Sequence, residues 1–217
     1  MKPADARRPP RLICGLYAVT PDDTDTGHLV AAVGDAISGG ARLVQYRNKT
    51  ASARLRLEQA HALKALCASR GAALIVNDHL DLALETGADG LHLGGEDGSC
   101  VEARRALGAS KLIGVSCYDR IALAREAERD GADYVAFGSF FPSRVKPGAV
   151  RPPLELLTQA KRELGVPVVA IGGITIANAV PLIAAGADGV AVISAVFDAP
   201  DVSAAAAQFN ALFARDP

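Results

Sequence analysis

No charge of one sign dominates this chain. Its 23 Lys and Arg stand against 24 Asp and Glu, giving a formal net charge of −1 and a pI near 6.4. That balance excludes general electrostatic binding to nucleic acid. Long apolar runs are missing too. Those at 12–19 and 166–174 are broken by Gly or Pro, and a membrane span needs ~20 residues. The opening MKPADARRPP has no apolar stretch of the kind a secretory signal carries. The four cysteines, at 14, 67, 100 and 117, show no CxxC spacing and no His at metal-ligand distance. They are expected to be buried small hydrophobes and free thiols of a reducing cytoplasm.

What is present is a 50% apolar chain of 217 residues. Disorder is excluded by that content. The length suits one large domain or two small ones and buries a core without staples. Short β-branched apolar runs alternate with longer Ala/Leu/charged stretches of helical period. Strands are expected at 12–19, 42–46, 73–77, 90–93, 111–115, 134–138, 167–171 and 189–193. Helices are expected near 28–38, 52–69, 80–86, 100–107, 119–130, 153–164, 175–185 and 201–214. Eight βα units in this length predict a single (β/α)₈ TIM barrel over 12–217, with 1–11 a flexible N-terminal tail. Gly87-Ala88-Asp89, Gly131-Ala132-Asp133 and Gly186-Ala187-Asp188 echo one another, each closing a helix before a strand, as does Gly39-Gly40-Ala41. Their aspartates fall at the floor of the barrel, where a structural role is the expectation.

In such a barrel the chemistry sits just after the strands. The residues there are Gln45, Arg47 and Lys49; Asn77 and Asp78; Asp97; Ser116; Ser143, Arg144 and Lys146; Gly172 and Gly173; and Ser194. Asp78 and Asp97 follow neighbouring strands, ~4.8 Å apart in a sheet. Two carboxylates that close repel unless one protonates or a cation lies between them. With no Cys or His joining them, the hard cation Mg²⁺ fits the oxygen ligands. For Asp78 alone, the competing reading is the N-cap of the next helix. For Asp97 it is a solvated loop carboxylate. Arg47, Lys49 and Lys146 beside such an ion point to a strongly anionic small molecule such as a diphosphate. Gly172-Gly173 and Ser194 suit a second, phosphate-binding pocket. His92 reads as a packing residue, His28 and His61 as exposed on helices, and His79 as a neighbour of Asp78. Without an evident general base, the set favours chemistry in which a diphosphate simply departs.

The runs LYAVT at 16–20, QYRNK at 45–49, LIVND at 74–78, GLHLGGED at 90–97, IGVS at 113–116, FGSFFPSRVKPG at 137–148, VVAIGGI at 168–174 and GVAVIS at 189–194 resemble the thiamine phosphate synthase family along nearly the whole chain. The resemblance implies a (β/α)₈ barrel that joins a pyrimidine-methyl diphosphate to a thiazole phosphate and releases diphosphate. It implies a dissociative reaction through a pyrimidine-methyl cation. It also implies Mg²⁺ on Asp78 and Asp97. The pyrimidine diphosphate would lie on Gln45, Arg47, Lys49, Asn77, Ser116 and Lys146. The thiazole phosphate would lie on Ser143, Arg144, Val145, Gly173, Ile193 and Ser194. Lys146, Ser116 and Arg47 are the catalytic candidates.

The sequence departs from that pattern at several places. Ser143-Arg144-Val145 stands where the family carries Thr-x-Thr, Asn48 where Glu is frequent, and Gly95 where Gln is common. Tyr118 occupies the place of a His on which the related thiazole tautomerases rely, which weighs against that isomerase alternative. The other alternative is a non-catalytic ligand-binding barrel. The expected partners are small molecules, with neither nucleic acid nor membrane; self-association to a homo-oligomer stays open.

Overall fold

The structure is a computed structural model that describes residues 13–94, 98–142 and 150–214. The tail read over 1–11, Asp97, and the Ser143, Arg144, Val145 and Lys146 group lie outside the described residues.

Eight parallel strands close in sequence order into one barrel: β1 Gly15–Val19, β2 Leu43–Tyr46, β3 Ala73–Asn77, β4 Gly90–Leu93, β5 Leu112–Tyr118, β6 Tyr134–Phe137, β7 Val168–Ile171 and β8 Gly189–Val192. Around them pack α1 Thr26–Ser38, α2 Ala53–Ser69, α3 Leu80–Thr86, α4 Cys100–Leu107, α5 Ile121–Arg129, α6 Glu155–Glu163, α7 Ile176–Ala184, α8 Ser194–Phe197 and α9 Val202–Ala211. The expected units are all present. Two differ in detail. β5 runs on to Tyr118 through a register shift between Ser116 and Tyr118. The short α8 follows β8 directly and was not expected; its four residues are too few to show a helical period.

Strand alternation splits the core in two. Leu16, Ala18, Val44, Leu74, Val76, Leu91, Ile113, Val135 and Val190 face the helices and join the larger cluster. Tyr17, Val19, Leu43, Ile75, Leu112, Tyr134, Val169 and Ala191 fill the barrel itself. The same alternation points Gln45, Asn77, His92 and Ser116 inward, one layer nearer the strand ends.

The three Gly-Ala-Asp segments have a shared job. Gly87, Gly131 and Gly186 have φ of +62°, +97° and +109°, a conformation that favours glycine. Each following aspartate then grips one residue of the preceding strand at both backbone groups. Asp89 donates its N–H to Leu74 and accepts from the Leu74 N–H; Asp133 does the same with Ile113, and Asp188 with Val168. The carboxylates are also paired with Lys64, Arg104 and Lys161 of the helices before those strands. The structural role expected of these aspartates takes this form: their contacts lock the registers of β3–β4, β5–β6 and β7–β8. At β2 Arg42 holds the equivalent place.

Three cysteines, Cys67, Cys100 and Cys117, are buried as expected; Cys14, just ahead of β1, is exposed against that expectation, and none of the four is in a disulfide. Burial pushes Cys67 and Cys117 up to about 12 and Cys100 up to about 11, so these three are poor nucleophiles.

Candidate active site

A cavity of about 770 Å³ opens at the C-terminal ends of the strands, within the range usual for small-molecule sites. Gln45, Arg47, Asn77, Ser116, Gly173, Ile193 and Ser194 line it. Lys49 and Asp78 line a small cleft beside it, and Asn77 borders both. Ten described residues singled out in the sequence, Gly172 among them, thus fall in one region at the ends of five strands. Asp97, Ser143, Arg144, Val145 and Lys146 lie outside the described residues.

The loop after β1 holds the cations. Thr20 is fully buried; its hydroxyl donates to the Arg47 carbonyl and accepts from the Arg47 N–H, both at 2.9 Å. Asp22 accepts from the Lys49 N–H at 2.8 Å and lies 3.5 Å from the Arg47 guanidinium. Asn48 donates to the Asp23 carbonyl at 2.6 Å and to Gln59 Oε1 at 3.0 Å. These bonds fix the loop that carries Arg47 and Lys49, leaving the Lys49 side chain about half exposed. The sequence reading did not single out Thr20 and Asp22. The Thr closing LYAVT was the only signal for them.

Asp78 has φ of +63°, a left-handed conformation that Asp and Asn tolerate better than most residues. Its N–H donates to the His92 carbonyl at 2.9 Å, which ties the end of β3 to β4. The N-cap reading of Asp78 does not hold, because α3 is capped by His79 with no side-chain bond. The Asp78 carboxylate lies 3.9 Å from the Lys49 ammonium. A cation and a carboxylate therefore share the cleft beside the cavity.

Gly172 and Gly173 have φ of +105° and +61°. A Cβ on Gly172 would overlap Ser139, and one on Gly173 would overlap the carbonyls of Phe141 and Pro142. Phe140 and Phe141 donate backbone N–H bonds to Ile171 and Gly172. Both glycines are thus required by the loop that folds over β7, independently of any phosphate.

His92 is buried and packed, as read from the sequence, and it also makes polar contacts that spacing does not reveal. It lines the cavity floor, with Nε2 2.9 Å from Ser116 Oγ and Nδ1 3.1 Å from Tyr134 Oη. Its ring stacks on Tyr134 at 5.7 Å. Tyr118, noted in the sequence only as a departure from the family pattern, also lines the cavity with Asp119, Arg120 and Asp198; β5 runs three residues further than expected, and Asp198 follows a helix too short to show a period.

The sequence model of one family, thiamine monophosphate synthase, matches residues 16–196. The chain belongs to this family. A thiamine-phosphate synthase of Nitrosospira multiformis is 54% identical over 207 residues, covering 95% of this chain and 88% of that one. One of Thiobacillus denitrificans is 56% identical, covering 94% and 96%. Among solved structures, a thiamine phosphate pyrophosphorylase of Pyrococcus furiosus superposes with a TM-score of 0.83 at 36% identity, covering 94% and 97%. A 3-hexulose-6-phosphate synthase at 20% identity and a TM-score of 0.68 shares the fold alone. The thiamine monophosphate synthase match takes in all eight strands from Leu16 onward, so the cleft and every residue of the cavity except Asp198 lie within it.

Proposed function

We infer that this chain catalyses the reaction of its family, joining a pyrimidine-methyl diphosphate to a thiazole phosphate to give thiamine phosphate and diphosphate. The carrying observation is the convergence of Gln45, Arg47, Asn77 and Ser116 on one rim cavity, with Lys49 and Asp78 in the cleft beside it. The pyrimidine would rest on the floor at Gln45 and Ser116, and its diphosphate would reach Arg47, Lys49 and Lys146. Those cations stabilise the negative charge that grows as the carbon–oxygen bond breaks. The thiazole nitrogen then supplies the electron pair to the pyrimidine-methyl cation, so no protein base is required. The thiazole phosphate would lie toward Ser143, Arg144, Val145, Gly173, Ile193 and Ser194.

A hard oxygen donor set suits Mg²⁺, which takes one or two carboxylates and completes its shell from water and phosphate oxygens. Asp78 would be one ligand and Asp97 the other. When bound, the ion supplies further charge neutralisation to the departing diphosphate. Among the described residues no helix is long and apolar enough to cross a membrane; the four free thiols support a cytoplasmic location. We place the catalytic barrel at 12–217.

Purified protein incubated with both substrates and Mg²⁺ is expected to release diphosphate and form thiamine phosphate. Release requires all three components together. Diphosphate released without the thiazole phosphate, or no product with all three present, would overturn this reading. The second outcome would favour a ligand-binding barrel.

A further inference from the structure

Beneath the cavity floor an unbroken series of side-chain hydrogen bonds crosses the barrel. Gln45 Nε2 donates to Tyr17 Oη at 2.8 Å. Tyr17 Oη lies 2.7 Å from Tyr134 Oη. Tyr134 Oη lies 3.1 Å from His92 Nδ1, and His92 Nε2 lies 2.9 Å from Ser116 Oγ. Gln45, His92 and Ser116 line the cavity, whereas Tyr17 and Tyr134 are 2% and 0% exposed and lie below it. Room for the crossing is made by Gly114, because a Cβ there would fall on the Tyr134 ring. Burial raises both phenols above their usual range, so both hydroxyls keep their protons.

Each link has one proton, and this gives the series a direction. With Gln45 donating, Tyr17 has its own O–H to place, and Tyr134 is its remaining partner. Tyr134 then donates to His92 Nδ1. An acceptor at Nδ1 requires the neutral ring with its proton on Nε2, which then donates to Ser116 Oγ. Two groups are left to face the cavity: the Gln45 Oε1 acceptor and the Ser116 O–H donor. Reversing one end requires reversing every link, including a flip of the Gln45 amide, or leaving a buried hydroxyl unpaired, which is costly.

We propose that Tyr17, Tyr134 and His92 are positioning residues that couple Gln45 to Ser116, so that the cavity floor presents an acceptor at one end and a donor at the other to an aminopyrimidine ring. This rests on the reading of the cavity as the pyrimidine site. An amino group beside an unprotonated ring nitrogen offers the complementary donor and acceptor. The oxo analogue offers the opposite pair and can be met only by turning the whole series.

Two measurements test this. The first is independent of turnover: ¹⁵N shifts of the His92 imidazole in the intact protein, assigned with His92→Gln. A protonated Nε2 and an unprotonated Nδ1 are expected, and in Tyr134→Phe the preference is lost. The opposite tautomer in the unaltered protein would overturn the proposal. The second is kinetic. Tyr17→Phe and Tyr134→Phe are each expected to lower kcat/KM for the pyrimidine diphosphate roughly tenfold and to leave KM for the thiazole phosphate unchanged. The double variant should be no worse than either single one, because one series is broken only once. Multiplying losses, or equal losses toward both substrates, would reduce the tyrosines to packing. If the unaltered protein makes no thiamine phosphate, the proposed function fails, while the tautomer measurement still decides whether the series has the stated direction.

Discussion

Tyr134 occupies the space that a side chain on Gly114 would need. The two residues are paired across β5 and β6, and an added Cβ would overlap the phenol ring and its hydroxyl. Gly114 therefore belongs to IGVS for the sake of a residue 20 positions later. Gly114→Ala is expected to force the ring off its place at the barrel centre. Overpacking of this kind costs about 1–3 kcal/mol. It should appear as a lower urea midpoint with an unchanged slope; an unchanged midpoint would show that the ring has room to move.

Asp188 and the cavity lie at opposite ends of the barrel. Asp188→Ala removes the acceptor for the Val168 N–H and the partner of Lys161. A part-buried donor left without its acceptor costs about 1–3 kcal/mol. Denaturation should report that loss while kcat stays within about twofold of the starting protein. A large fall in kcat at full folding would mean that register errors at the floor reach the rim.

Asp78 permits a clean test of the metal reading. Its φ of +63° is tolerated by Asn as well as Asp, so Asp78→Asn changes charge without straining the backbone. The variant is expected to fold normally, to need more Mg²⁺ and to lose about 10²–10³ in kcat. Asp97→Asn should act in the same direction. Wild-type Mg²⁺ dependence in both would remove them as ligands. Asp78→Ala should in addition lower stability, since Ala is strained at positive φ.

The thiols offer a pH-linked test. Burial holds Cys67 and Cys117 at about 12 and Cys100 at about 11. At pH 8 these three remain protonated as well as inaccessible, and the thiolate is the reactive form. Alkylation of the native protein should modify Cys14, and denaturation should expose the other three. Because burial raises their values, reactivity would rise only as pH climbs toward them. Rapid labelling of Cys100 at pH 8 would show that α4 opens locally.

The alternating apolar and helical stretches were enough to determine the eight βα units, because period-2 and period-3.6 patterns follow directly from which face is buried. Residues just after strands could be named as rim groups for the same reason, and Gln45, Arg47, Asn77, Ser116, Gly173 and Ser194 do gather there. The family resemblance supplied their expected roles. Other features depended on closure of the barrel. Nothing local in the sequence tells that His92 meets Tyr134, 42 residues away, and Ser116, 24 away, since only a closed sheet turns three separate strands toward one axis. Nor does spacing reveal that Thr20 and Asp22 hold the Arg47–Lys49 loop, or that Asp89, Asp133 and Asp188 clamp the strand before their own. Periodicity reports which way a side chain faces. What it meets there is decided by register, and register is set by contacts between segments that the chain itself keeps far apart.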